Sequence, residues 1–133
     1  MKIAIIGSRT LTPLFYETMR DYILTCMKDN HPDDKIEEVI SGGARGADAL
    51  GEKFSLDVLK KPCTVFPAEW EKYGRSAGYR RNSLIINAAD VVFAFWDGVS
   101  NGTKHSIELA VNSKKPVYIN RPTAAWFEDK KTY

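Results

Sequence analysis

The stretch Val39–Leu50, VISGGARGADAL, decides how the chain is read. It passes from a β-branched apolar run through three glycines and an arginine into what starts as a helix. Glycine lets backbone approach a ligand closely, and a helix N-terminus turns unpaired N–H groups toward an anion. The stretch therefore points to a phosphate-binding turn at the end of a strand.

The same alternation runs along the chain on both sides of it. Lys2–Ile6 (KIAII) is an apolar strand, and Pro13 to about Lys28 carries Leu14, Met19, Ile23 and Met27 at nearly helical spacing. A polar loop, DNHPDDK, leads into a second strand over Ile36–Ile40. The pattern then predicts a helix over Ala47–Leu59, a strand over Cys63–Phe66, a helix from Ser76 to about Ala88 and a strand over Val91–Phe95. A helix over Thr103–Val111 and a strand over Pro116–Ile119 follow. Strands that are apolar on both faces and separated by helices belong to a parallel sheet covered on both sides. The expected fold is α/β: a single Rossmann-like domain over residues 1–120, with about a five-stranded parallel sheet and helices on both faces. Residues 121–133 form a C-terminal arm, read as a weak helix or an ordered extension.

Composition narrows the partners. The chain has 133 residues, 44% hydrophobic and 27% charged, and no apolar run approaches the roughly 18 residues of a membrane span. The opening MKIAIIGSRT has one lysine and too short an apolar run for a signal peptide, so a cytoplasmic protein without a membrane partner is expected. Cys26 and Cys63 lie far apart with no CxxC, and two histidines do not complete a zinc set. Neither a metal nor a cofactor is expected. A net charge of +2 is small for a bulk polyelectrolyte partner, although the placement of the arginines matters more than the sum.

In parallel sheets ligands bind beyond the carboxyl ends of the strands, near the point where strand order reverses. The loops at that edge are GSRT (Gly7–Thr10), SGGARGAD (Ser41–Asp48), PAEWEKYGRSAGYRRN (Pro67–Asn82) and WDGVSNGT (Trp96–Thr103). They bring Arg9, Arg45, Arg75, Arg80 and Arg81 to one edge, with Trp70, Tyr73 and Tyr79 beside them. Arginine suits bidentate recognition of phosphate. Neither GxGxxG nor GxxxxGK[ST] is present, which removes the dinucleotide fingerprint and the P-loop.

The order GSR, SGGARGAD, PAEWEKYGRSAGYRRN, AADVVFAFWDGVSNGT resembles the YspA/YpsA-related branch of the SLOG superfamily over about Lys2 to Asn120. That superfamily also includes the Lonely-guy phosphoribohydrolases and the Rossmann core of the DNA-processing protein DprA. The resemblance implies a nucleotide-binding domain and no settled reaction. It places Gly7, Ser8 and Arg9 against the ligand, and makes Ser41, Gly42, Gly43, Arg45 and Gly46 a loop whose backbone N–H groups meet phosphate. Arg81 and Asn82 match its Arg-Asn pair, and Ser100, Gly102 and Thr103 its terminal phosphate loop. Trp70 either stacks on a base or packs as core. Asp48 either supports the start of its helix, the preferred reading, or accepts a ribose hydroxyl. His105 reads as a neutral hydrogen-bonding residue.

Three functions of different classes follow. The first is binding of a nucleotide or nucleotide sugar such as ADP-ribose, for sensing, sequestration or processing. The second is a nucleotide N-glycosidase, and the third DprA-like single-stranded DNA binding. Nucleic acid ranks lowest as a partner, because a strand-binding groove needs a long basic track. Lonely-guy relatives carry GGxGTxxE; here Ser106 stands in the register of that glutamate, and Glu108, the next acid, is expected to point away from the phosphate. Whether the ligand is turned over stays open. A homodimer contact through Trp126 and Phe127 is a further expectation.

Overall fold

Ile3 and Ile5 face one side of a sheet, Ala4 and Ile6 the other, and all four are buried, as the two-residue period of a strand requires. In the computed structural model, which describes residues 1–128, these residues lie in β1 (Lys2–Gly7) at the centre of the molecule. Around it are α1 (Tyr16–Asn30), β2 (Glu38–Ser41), α2 (Ala47–Phe54), β3 (Cys63–Val65), α3 (Trp70–Tyr73), α4 (Ala77–Ala88), β4 (Val91–Phe95), α5 (Asn101–Asn112) and β5 (Val117–Asn120). The five strands form one parallel sheet in the order β3-β2-β1-β4-β5. This is the expected Rossmann-like α/β fold.

Each face of the sheet has its own apolar layer. On one, Phe15, Met19 and Ile23 at the start of and along α1, with Leu50 and Phe54 of α2, pack on Ile3, Ile5, Phe93 and Phe95. On the other, Ile85 and Ile86 of α4 and Ile107 and Ala110 of α5 pack on the smaller Ala4, Ile6 and Ala94. Phe95 anchors the first layer: Phe15 and Tyr22 meet its ring edge to face at 5.9 and 5.7 Å. Each such pair adds about 1 kcal/mol beyond burial.

Several boundaries differ from the pattern, each for a local reason. The first helix opens as a 3₁₀ turn over Pro13–Phe15, with proline in its first turn, and α1 runs on to Asn30. Strand β2 begins at Glu38, and Ile36 packs against the core from the preceding loop. α2 ends at Phe54 and passes into one wide turn over Ser55–Leu59. Ser55 donates its hydroxyl to the Lys61 carbonyl at 2.8 Å, and Lys60 leaves the turn at φ 53°. The segment before α4 contains the short helix α3, where a loop was expected.

The segment after β5 doubles back over the first loop. Thr12 N–H and hydroxyl both donate to the Trp126 carbonyl, Glu128 N–H donates to the Thr10 carbonyl, and Leu11 bridges antiparallel to Phe127. Trp126 meets Phe15 edge to face at 5.3 Å, and Phe127 also packs on the core. The two aromatics expected to serve a dimer contact thus cover the protein's own core. Residues 129–133 of the predicted arm lie outside the described residues. Among the described residues no helix is long and apolar enough to cross a membrane.

Candidate functional site

β1 and β4 are neighbours, but α1 and α5 leave them toward opposite faces of the sheet. The loops that follow must part, which opens a crevice beyond the carboxyl ends of the two strands. Ser8 and Asp97 meet at its floor. The Ser8 hydroxyl accepts the Asp97 N–H at 3.1 Å and lies 3.1 Å from the Ser100 hydroxyl.

Asp97 folds the loop toward α5. Its Oδ1 accepts the N–H groups of Val99 and Ser100 at 2.8 and 2.7 Å, and its Oδ2 accepts the Ser100 hydroxyl at 2.9 Å. Burial would raise its pKa, but the bonds from Ser100, Val99 and Ser8 outweigh that and hold the carboxyl below its ordinary value. This is an Asx turn, and the Asp-Gly pair that announces it stands in the sequence. Beyond the turn, the N–H groups of Asn101, Gly102 and Thr103 have no protein partner among the described residues; that of Lys104 already reaches the Ser100 carbonyl. The start of α5 is thus an open set of donors reinforced by the helix dipole. It faces a cavity of about 430 Å³ lined by Ser100, Gly102 and Thr103.

Arg9, Arg75 and Arg81 line the same cavity. Arg81 Nη1 donates to the Gly42 carbonyl at 2.8 Å and its Nε to Asn82 Oδ1 at 3.2 Å. Burial lowers its pKa, with Asp48 acting against this and Arg9 with it. Asn82 Nδ2 reaches the Gly102 carbonyl and His105 Nδ1, both at 3.3 Å. A carbonyl accepts and cannot donate, so the amide is oriented and His105 Nδ1 is the acceptor. Asn82 therefore ties α4 to the first turn of α5, and His105 is a hydrogen-bonding residue beside it, with Tyr79 edge to face at 4.5 Å. Trp70 and Tyr79 close one side of the cavity with about half of each side chain exposed (52% and 50%). Trp70 is therefore a rim residue rather than core, its ring resting over Gly78.

Of the residues expected at the ligand, Gly7, Ser8, Arg9, Trp70, Arg81, Asn82, Ser100, Gly102 and Thr103 line the cavity. The second loop does not present itself in the expected way. Ser41 is fully buried, and its hydroxyl accepts the Gly43 N–H at 3.2 Å; the Ala44 N–H goes to Asp48 Oδ2 at 3.1 Å. The N–H group of Gly43, expected to meet phosphate, and that of Ala44 beside it are thus used inside the loop. Ser41, Gly42, Gly43 and Gly46 shape it instead. Gly46 has φ 76°, and a Cβ there would press on the carbonyls of Ser8 and Arg9. Arg45 points away, paired with Glu128 at 3.0 Å. Arg80 bonds the Ser76 hydroxyl at 3.1 Å and lies over Tyr73, also off the cavity.

The loop also delivers Asp48, in the first turn of α2, to the cavity. Its carboxylate bonds backward to Ala44, lines the cavity and is only 7% exposed. Burial pushes its pKa up to about 6, against the Ala44 N–H, Arg81 and Arg9. The signal that could have found it is the Gly-Gly-Ala-Arg-Gly run before it, which curls the chain back over its own helix start. Thr10, Asp97 and Ser106, with Arg75 and Tyr79 of the rim, are the other polar lining residues that the motifs did not assign to the ligand.

The molecule is thus a Rossmann-like α/β protein with an arginine-rimmed cavity at the switch point of its sheet. No protein-family model matches the chain. It belongs to the family of the Gene 61 protein of Mycobacterium phage D29, with which it is 38% identical over 84 residues, covering 59% of this chain and 67% of that protein. The fold is also that of DNA processing protein A from Helicobacter pylori, at TM-score 0.65 and 21% identity over 96% of this chain and 68% of that one. That structure was solved for a single-stranded DNA binding mode. It corrects the low rank given to nucleic acid: a protein of this fold binds single-stranded DNA, so a small net charge is no ground for exclusion. What acts on a phosphate is the local field of the rim, which the sum over the chain does not report.

Proposed function

We propose that the cavity binds a nucleotide or a nucleotide-derived molecule such as ADP-ribose, with phosphate at the start of α5 among Arg9, Arg75 and Arg81 and the base toward Trp70. One observation carries the reading: unpaired helix N–H groups, three arginines and a half-exposed indole converge on one cavity of about 430 Å³, within the size range of small-ligand sites. The motif order and the shared fold support placing the domain in the SLOG superfamily. Calorimetry with nucleoside mono-, di- and triphosphates and ADP-ribose tests it; no heat from any of them would end it.

Single-stranded DNA is a second reading, favoured by the fold shared with DNA processing protein A. Salt separates the two. Strand binding that neutralises several phosphates falls steeply between about 50 and 200 mM salt, whereas one phosphate in a cavity responds modestly.

Arg81→Lys is expected to weaken nucleotide binding about tenfold although the charge is kept. The fork that spans Gly42 and Asn82 is lost, and with it the guanidinium plane offered to phosphate. An unchanged dissociation constant would remove Arg81 from the site.

Ser106, in the register of the Lonely-guy glutamate, lines the cavity; Glu108 is exposed and does not. General acid–base work needs a group within hydrogen-bond reach of its proton. Incubation with AMP, GMP or ADP-ribose is therefore expected to release no base through Glu108. Base release by the wild type that disappears in Glu108→Gln would make the protein a hydrolase.

A further inference from the structure

Asp48 is a carboxylate placed where phosphate-binding cations gather, and a phosphate-only pocket has no use for it. Its surroundings are Arg9 on the first loop, Arg81 on α4, Glu52 on its own helix and the Ala44 N–H. A Cβ on Gly42 would lie 2.6 Å from Arg81 Nη1 and 2.8 Å from Asp48 Oδ2, so cation and carboxylate flank the same glycine. The bond from Ala44 to Oδ2 is the one that the carboxylate makes among the described residues, although the side chain is more than nine-tenths buried. Oδ1 makes no such bond and is not wholly closed off, so on the cavity side it is open to a donor that arrives with the ligand. A phosphate dianion brings none.

We infer that Asp48 Oδ1 accepts a ribose hydroxyl, so that the cavity selects ribonucleotides over their deoxy counterparts. This rests on the nucleotide reading of the cavity. In a nucleotide the sugar sits between phosphate and base, and Asp48 lines the cavity together with the α5 start and Trp70, which that reading assigns to phosphate and base. A deoxy ligand that displaces solvent from the cavity leaves Oδ1 without a donor, a loss that falls on affinity directly.

The inference also has a pH signature. Burial is the largest cause that moves the Asp48 carboxyl up to about 6; Glu52 adds to it, while Ala44, Arg81 and Arg9 oppose it. The ionised form is the better acceptor, so the preference for ribose is full above about pH 7 and fades as the pH falls through 6 toward 5. Phosphate itself has a second pKa of about 6. The ratio of two affinities cancels that change, because both ligands carry the same phosphate.

The test is calorimetry of AMP against dAMP and GMP against dGMP, at pH 5 and pH 8, with wild type, Asp48→Asn and Asp48→Ala. Thermal melting confirms that each variant is folded. The expected wild-type preference at pH 8 is about tenfold or more, as for one hydrogen bond to a charged group. It should shrink at pH 5 and nearly vanish in Asp48→Ala, read as the ratio of ribo to deoxy affinity within each protein. Equal binding of ribo and deoxy ligands, or a ratio that survives Asp48→Ala, overturns the inference and leaves the nucleotide reading standing. If none of AMP, GMP, dAMP and dGMP binds the wild type, the inference fails, and the nucleotide reading falls with it only when the di- and triphosphates and ADP-ribose also give no heat. If both variants are unfolded, the wild-type ratio and its pH dependence alone decide: a ratio near one at pH 8, or one that does not fall at pH 5, overturns the inference.

Discussion

Gly102→Asp is expected to abolish ligand binding, by ~100-fold or more, in a protein that is folded and no less stable than the wild type. A Cβ added at Gly102 meets nothing within 4 Å, and the residue is the second of α5. A carboxylate in the first turn of a helix is favourable to the helix by about 0.3–1 kcal/mol. It also occupies the place proposed for phosphate and brings a like charge to it, at a separation where repulsion in a partly desolvated cavity reaches several kcal/mol. Calorimetry with the nucleotides and ADP-ribose, alongside a thermal melt, reads both halves of the result. A folded variant that keeps its affinity would move the phosphate away from α5.

Gly7→Ala is expected to act on the fold instead and destabilise it severely. At the end of β1 the chain passes so close to β4 that a Cβ on Gly7 would collide with the Phe95 carbonyl oxygen and come within 2.7 Å of Ala47 Cβ. Ser8 N–H bonds that same carbonyl at 3.0 Å, and Ala47 N–H bonds the Ser8 carbonyl at 3.2 Å. None of these atoms belongs to a flexible side-chain end, so relief requires the central strands to separate or α2 to lift. The cost is about 3 kcal/mol or more, a large share of the 5–15 kcal/mol typical of a whole domain. Denaturant unfolding measures it; a loss below about 1 kcal/mol would mean that this junction yields easily.

Most of the fold was legible because the central strands β1 and β4 are apolar on both faces. Val91–Phe95 was bounded correctly from sequence, since every residue of it is buried and no turn residue intrudes. The short helix Trp70–Tyr73 was not, because four residues carry too little periodicity to stand out from a polar loop. At the candidate site, Ser100, Gly102 and Thr103, which the order of the motifs put at the ligand, line the cavity. Arg45 does not, since its direction depends on Glu128, 83 positions away. Asp48 and Asp97 were both visible as acids near glycine. Which of them faces the cavity with a free oxygen, and which is consumed by its own turn, depends on hydrogen bonds to Ala44, Val99 and Ser100 that only the folded loop displays.

The segment around Trp126 also sets an order of events in folding. Thr12 is bonded to the Trp126 carbonyl across 114 positions, and Glu128 reaches both Thr10 and Arg45. The loop that follows β1 emerges early from the ribosome, yet its partners are made only after all five strands. Until residue 128 is available, Thr10, Thr12 and Arg45 lack the contacts that pin them, and closing so long a loop is among the slower steps a chain takes. A nascent chain can therefore pair its strands while the loop after β1, whose Thr10 lines the cavity, is still loose.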